Sequence, residues 1–340
     1  MGLVVSVALL AWVVHDVDLA VVVAHLRRAD PAALAAVVGL ATLTFPLRTV
    51  RWRLMLRDAE GSPFPWSPLW HATAVGFMAN NLLPFRAGEV ARAYVASRAL
   101  AVRFTTAFAS VAIERVFDAL ILVALMAVAL LDPSFPRGVV LDGASGIPIG
   151  RVVTGVAAAF GAVLLVAFLV ARRPAPWLAL ADRLARRGLP ERFAGRVAHA
   201  LHGLVEGLAV LRQPARFAAV IGWSVVLWLI NAASFALCFR AFGISLPAGA
   251  ALLLQGVIAF GVAIPASPGF WGVFEAATRV TLALYGVDGT QAVSYAIAYH
   301  ALTFVPITLL GLYSLSRVHV RLGELSAARA EGGAGERGGT

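Results

Sequence analysis

Asn80-Asn81-Leu82-Leu83-Pro84-Phe85-Arg86-Ala87-Gly88-Glu89 and Ile264-Pro265-Ala266-Ser267-Pro268-Gly269-Phe270-Trp271-Gly272-Val273-Phe274-Glu275 are the two stretches on which the reading of this chain turns. Each sets Pro, Gly and an ionisable side chain inside or beside a run apolar enough for lipid. At membrane depth, helix-breaking backbone survives only where it is buried in protein or lines a water-filled cavity. Both stretches are therefore expected to be working parts of a membrane protein.

The rest of the chain agrees with that reading. Its 340 residues are 60% hydrophobic and only 14% charged, and a mean hydropathy of +0.85 excludes a soluble domain of this size. Every basic residue is Arg, which reflects coding composition more than chemistry. Arg nonetheless binds phosphate through two parallel donors and keeps its charge when buried. A net charge of +10 could suggest nucleic acid, but the charges fall between apolar runs, where they report topology and attraction to anionic headgroups. No nucleic-acid partner is expected. Cys238 stands alone, so neither a disulfide nor a Cys-based metal site can form within one chain. Gly2 to Val14 is apolar but short for a span, and it lacks the basic n-region and small-residue cleavage site of a signal peptide.

Runs of about 20 apolar residues predict membrane helices near 2–24, 33–55, 104–131, 149–171, 217–240 and 291–316, the first broken by His15, Asp16 and Asp18. Two further apolar regions, 67–85 and 248–286, are interrupted by Pro and Gly. The stretch 172–216 carries nine Arg against Asp182, Glu191 and Glu206. Under the positive-inside rule it is cytoplasmic, and 132–150 is external. Arg51, Arg53 and Arg57 on one side of 67–85, and Arg86, Arg92, Arg98 and Arg103 on the other, make 67–85 a re-entrant hairpin on the cytoplasmic side. By the same counting 248–286 begins and ends outside, as a second re-entrant hairpin or a pair of short helices. Pro84 follows residue 33, and Pro268 follows residue 217, by the same 51 positions. The expected fold is an all-α polytopic membrane protein with about six full transmembrane helices and two re-entrant or broken hairpins. These form two inverted repeats, 1–131 and 149–317, with the site where the broken segments meet. The basic loop 172–216 reads as amphipathic helices on the cytoplasmic leaflet, and the tail 324–340 reads as disordered. Both termini are placed in the cytoplasm, and the protein in the cell membrane.

Three polar constellations stand out. Arg86, Glu89 and Arg92 are spaced three apart, so they share one side of a helix starting after Pro84. The choice there is between a surface ion-pair ladder and a hairpin tip that holds an anion; Asn80 and Asn81, carboxamides in an apolar run, favour the second. Glu114, Arg115 and Asp118 lie inside the 104–131 span, where each charge costs about 2.5–3.5 kcal/mol near the bilayer centre. They are expected to face the bundle interior, as an ion-pair network with Arg48 or Arg51, as a headgroup or proton-coupling site, or as both. The third set is Pro265, Pro268 and Gly269, a broken element followed by Glu275 and Arg279 four apart, which can pair with each other or serve a gate. His300 and Tyr299 read as packed or hydrogen-bonded residues. No His pair sits at metal-ligand spacing on one helix, and no cofactor is expected.

On these residues the chain resembles the lysylphosphatidylglycerol synthase transmembrane-region family of flippase-like membrane proteins. The matching elements are Arg51-Trp52-Arg53, Asn81-x-x-Pro84-x-Arg86-x-Gly88-Glu89-x-x-Arg92, Glu114-Arg115-x-x-Asp118, and Pro265-x-x-Pro268-Gly269 with Glu275. The resemblance implies a lipid-translocating module. Some members are fused to enzymes that aminoacylate phosphatidylglycerol or to glycosyltransferases. This sequence leaves no room for such a domain, so translocation without synthesis is implied.

The leading expectation is a flippase, not an enzyme, that moves a phosphate-bearing lipid. The lipid would be an aminoacylated or plain phospholipid, or a polyprenyl-phosphate carrier. Arg51, Asn80, Asn81, Arg86, Glu89, Arg92, Glu114, Arg115, Asp118 and Glu275 would bind the headgroup, and Pro84, Gly88, Pro265, Pro268 and Gly269 would form the gates. Two alternatives stay open. One is a membrane enzyme acting on polyprenyl diphosphate, although the Pro268-Gly269 loop continues with Phe270-Trp271 and offers neither nucleophile nor base. The other is an accessory subunit for a separately encoded glycosyltransferase or lipid-modifying enzyme.

Overall fold

A computed structural model describes residues 2–58, 60–83, 86–136, 213–263 and 267–318, with isolated positions between 155 and 183. The predicted span 149–171, the basic loop 172–216 as far as residue 212, and the tail 324–340 lie outside the described residues, isolated positions aside. Among the described residues the chain is helical throughout, with no strand beyond a single bridge between Arg57 and Pro63.

The helices are α1 (Gly2–Val14), α2 (Leu19–Arg28), α3 (Pro31–Met55), α4 (Trp66–Leu82), α5 (Gly88–Ala99), α6 (Phe104–Leu131), α7 (Pro214–Ala241), α8 (Ala248–Gly261), α9 (Val273–Leu284) and α10 (Gly289–Arg317). A 3-10 turn, Pro268–Phe270, precedes α9. Aspartates set several starts. Asp18, Asp30 and Asp288 each accept two backbone N–H bonds from the first turn of α2, α3 and α10, satisfying donors that a helix cannot pair internally. Pro31 at the head of α3 adds a preset φ.

Three helices, α3, α7 and α10, are long and apolar enough to cross a membrane. α6, with 28 residues, is about 42 Å long, and its charged turn interrupts an otherwise apolar run. α1 and α2 are bent by 82° at residues 15–18. The first predicted span is thus two helices meeting where Asp18 turns to cap the second.

α5 and α9 have 12 residues each, about 18 Å, against a hydrocarbon layer of about 30 Å. Each belongs to a hairpin. Gly76 of α4 touches Arg92, while Gly88 of α5 touches Asn80 and the Gly76 carbonyl. Positions rise along one helix as they fall along the other, so α4 and α5 are antiparallel. This corrects the predicted hairpin 67–85: α4 is unbroken from Trp66 to Leu82, and its return arm is α5, which starts at Gly88. Pro68 falls in the first turn of α4, where proline is tolerated. The second region is a pair of short helices, α8 and α9, joined through the 3-10 turn.

The contacts are paired along the chain. α3 packs on α4, α4 on α5 and α5 on α6; α7 packs on α8, α8 on α9 and α9 on α10. α3 and α7 lie against each other at the centre, α10 covers α4, and α6 covers α8. Between elements of a membrane bundle, attraction comes from close packing more than from water expulsion, and small residues allow it. Gly311 of α10 sits against the Ala74 carbonyl and the Met78 side chain of α4.

Gly311→Leu should therefore force α10 off α4 and cost about 1–3 kcal/mol of overpacking, whereas Gly39→Leu, at a site with nothing within 4 Å of the added carbon, should leave the melting temperature in detergent unchanged. Equal melting of the two variants would refute a close α4–α10 seam.

Candidate functional site

The charged turn of α6 is the hub. Glu114 accepts two bonds from Arg92 of α5, at 2.8 and 3.0 Å, one ion pair from Arg51 of α3 at 3.0 Å, and one from its neighbour Arg115 at 2.6 Å. One helical turn on, Asp118 takes a forked pair from Arg51, at 2.5 and 3.2 Å, a contact from Arg115 at 3.1 Å, and the indole N–H of Trp228 of α7 at 3.0 Å. Arg48 lies 3.8 Å from Asp118, between the rings of Phe77 and Trp228. Arg92 stacks over Trp52 at 3.9 Å, and the Trp52 indole is held by Ser110. Arg51 is further fixed by Ser224 of α7.

This places four guanidiniums around two carboxylates, a surplus of two positive charges. Arg51 and Glu114 are fully buried, whereas the Arg115 side chain is 30% exposed. Each of Arg48, Arg51, Arg92 and Arg115 keeps a buried nitrogen without a hydrogen-bond partner. The cluster opens on a cleft of about 230 Å³, mouth included, lined by Gly76, Phe77, Asn80, Gly88, Glu89, Arg92, Val111 and Arg115. Asn80 Oδ1 caps the start of α5 by accepting from the Gly88 N–H at 2.8 Å. Glu89 pairs through one oxygen with Arg86 at 3.1 Å, while its second oxygen is buried without a partner.

Glu89 therefore pairs with Arg86 but not with Arg92, so the three do not form a continuous ladder. Arg86 precedes α5 with a left-handed φ of 55° and donates to the Val262 carbonyl at the end of α8, while Arg92 turns inward to Glu114. That Arg86 bond joins the two hairpin tips. Asn81 reaches α10 instead, donating to Thr308 and to the Phe304 carbonyl.

At the second tip, Glu275 does not pair with Arg279. It accepts the Gly272 N–H at 2.6 Å, closing the first turn of α9 in a capping arrangement, and its other oxygen faces His300 Nδ1 of α10 at 2.6 Å. Arg279 turns away to Asp16 and to the α1 carbonyls of Trp12 and Val13. Gly269 and Gly272 hold left-handed φ values of 70° and 86°, which glycine adopts without penalty. Pro268 opens the turn; Pro84 and Pro265 lie outside the described residues.

Trp228, Ser224 and His300 escaped the sequence reading as site members. Indole N–H groups buried in an apolar span need an acceptor, and an ionisable residue within a span is functional by default; those two rules would have flagged Trp228 and His300. Ser224 carries no such signal.

A family model described as the lysylphosphatidylglycerol synthase TM region matches residues 1–311. The chain is 29% identical to Glycosyltransferase AglD of Haloferax volcanii over 94% of its own length and 54% of that protein, so it spans about half of that relative. Two proteins of Methanothermobacter thermautotrophicus, each named UPF0104 membrane protein, are 25% and 26% identical; the matches cover 84% and 85% of this chain and 84% and 86% of theirs. No solved structure matches the chain.

Removing one carboxylate from the hub leaves guanidiniums unpaired in a buried place, which costs about 3–5 kcal/mol. Glu114→Gln should accordingly lose most folded protein in a detergent melting assay, while Glu89→Gln, at the half-buried cleft, should shift stability by less than about 1 kcal/mol. The reverse order would show that the hub is not the structural centre of the bundle.

Proposed function

The chain belongs to the lysylphosphatidylglycerol synthase transmembrane-region family, and from that premise we propose that it translocates a phosphate-bearing lipid across the cell membrane. The observation that carries the reading is the buried surplus of two positive charges opening at a cleft lined by α4, α5 and α6. A surplus of this kind in a low-dielectric bundle calls for an anion, and guanidiniums with unused N–H groups offer paired donors to phosphate.

In this reading Arg115, the most accessible of the four guanidiniums, meets the phosphate first. Arg92 lies behind it, and the unpartnered oxygen of Glu89 takes a cationic or hydroxylated part of the headgroup. Arg51, Glu114 and Asp118 are supports that hold Arg115 and Arg92 in place. For the head to pass while the acyl chains stay in lipid, the hairpin tips separate at the Arg86–Val262 contact.

The scaffold we infer is a pair of inverted repeats with about six full spans, both termini cytoplasmic. It is supported by the correspondence of contacts: α3, α4, α5 and α6 meet in the same order as α7, α8, α9 and α10, with α3 against α7 where a pseudo-two-fold axis would pass. A second reading, a role in lipid-linked glycosylation either as carrier-lipid transporter or as accessory to a glycosyltransferase, is favoured by the relative named a glycosyltransferase.

Proteoliposomes carrying headgroup-labelled phosphatidylglycerol, its lysyl derivative or a polyprenyl phosphate test the reading by leaflet accessibility. Wild-type protein should move one of these lipids, and Glu89→Gln should slow that movement about tenfold or more, the loss of one charged hydrogen bond of about 1.5–3 kcal/mol. If folded protein moves none of them, the transport reading falls and the accessory role takes its place.

A further inference from the structure

His300 is buried in α10 with both ring nitrogens facing acceptors. Nδ1 lies 2.6 Å from Glu275 Oε1 and Nε2 lies 2.8 Å from the Gly269 carbonyl. A carbonyl oxygen only accepts, so Nε2 must carry hydrogen. An ionised carboxylate only accepts as well, and its other oxygen is already committed to the Gly272 N–H. The contact between Nδ1 and Oε1 therefore requires one proton, held either by an imidazolium beside a carboxylate or by a carboxylic acid beside a neutral ring. In both forms the pair is neutral as a whole.

If that proton leaves for water, the pair carries one negative charge and one contact becomes lone pair against lone pair. Either Nδ1 faces the carboxylate bare, or Nε2 faces the Gly269 carbonyl bare. The second of these holds the Pro268–Phe270 turn against α10. The same turn is held by α1, where Ser6 accepts the Ser267 N–H, and Trp271 stacks on His300 with ring centroids 4.2 Å apart.

The surroundings leave no other charge on the pair among the described residues. From α9 the group facing His300 is Glu275, with Arg279 turned to Asp16. From the turn come the Gly269 carbonyl and the Trp271 ring, from α10 the Phe304 ring, from α9 also the Phe274 ring, and from α1 the neutral Ser6. The neighbouring Tyr299 hydroxyl goes to Ser234 of α7, and Asn81 of α4 goes to α10. By contrast, Glu114 and Asp118 are surrounded by guanidiniums, which do not release protons in proteins. Of the buried carboxylates described here, Glu275 is the one whose partner can exchange a proton.

We propose that His300 and Glu275 form a one-proton binding site that fastens the second hairpin tip to α10, and that proton loss releases the tip. Resting on the transport reading, it further assigns the proton as the ion coupled to headgroup movement.

Two measurements on the full-length protein separate these statements. The first is the emission of Trp271, taken as the difference between wild type and Trp271→Phe because the chain has eight Trp; imidazolium quenches a stacked indole more than neutral imidazole does. The difference should change from acid to alkaline pH and become flat in His300→Gln. The second is the leaflet distribution of the transported lipid under an imposed proton gradient, where about one pH unit biases a one-proton coupled distribution about tenfold. Wild type should show that bias and reverse it with the gradient, and His300→Gln should lose it. Should His300→Gln fail to fold, Glu275→Gln, which still accepts the Gly272 N–H, carries both tests.

A pH-independent Trp271 signal overturns the proton site. A titrating signal with lipid movement indifferent to the gradient overturns the coupling and leaves the latch. A titrating signal with no lipid moved leaves the latch standing and overturns the transport reading with its coupling.

Discussion

Arg51 bridging Glu114 and Asp118 is the constraint on which the bundle depends. Three charges on one turn of an apolar helix are unfavourable in lipid; Arg115 pairs with the two carboxylates of its own helix, and Glu114 and Asp118 take further partners from other helices. Arg51 and Arg48 supply them from α3, Arg92 from α5, and Trp228 and Ser224 complete the shell from α7. Four helices are thereby fixed at one point. The forked geometries of Arg51 on Asp118 and Arg92 on Glu114 set angles as well as distances, so the network fixes register more than it adds stability, buried ion pairs being expensive to desolvate.

α5 shows what that constraint does. A 12-residue helix rich in Ala and Arg has little apolar surface with which to hold itself in a membrane. Its inner face carries Gly88, Ala91, Arg92 and Val95, all buried, and Arg92 is the anchor. The absence of a side chain at Gly88 and Gly76 lets α5 approach α4 closely enough for Arg92 to reach past it to Glu114. The hairpin, the small residues and the ion pair are one device. Among the described residues the second hairpin has no guanidinium in the equivalent role. Its tip is held by glycine geometry, the Gly272–Glu275 cap and the His300 contacts, so the two broken elements are fastened by forces of different kinds: the first by permanent charge, the second by a group that can exchange a proton.

Much of this was legible in the sequence because lipid leaves few options. Apolar run length gave α3, α6, α7 and α10 nearly to the residue, and Pro268 marked the turn before α9. The site was expected where the broken segments meet; the Arg86–Val262 bond brings the two tips into contact, whereas the cleft is lined by α4, α5 and α6. What the sequence did not disclose is direction of side chains. Spacing three apart put Arg86, Glu89 and Arg92 on one helical face, but α5 starts at Gly88, so Arg86 lies outside the helix and reaches both Glu89 and the Val262 carbonyl, while Arg92 turns to Glu114. Spacing four apart suggested Glu275 with Arg279; the helix start at Gly272 made Glu275 a capping residue, and Asp16, on a distant turn, was the better partner for Arg279. Local periodicity names the neighbours a residue can have, and helix termini and long-range partners decide which it takes.

The same lesson bears on how the basic surplus of the chain is understood. Arg51 and Arg92 entered the topology count as flanking charges, yet both are buried in the bundle and balanced by carboxylates of α6. An arginine that is paired inside the protein does not report which side of the membrane its flank occupies, because the positive-inside rule concerns charges left in loops. Without them, the flanks of the first hairpin still hold Arg53 and Arg57 before it and Arg98 and Arg103 after it, so both flanks remain basic and the re-entrant reading needs no charge from the core. The buried arginines then have a separate meaning. Six of the charges that composition counts alike, Arg48, Arg51, Arg92 and Arg115 with Glu114 and Asp118, sum to a positive interior separate from the charges of the loops.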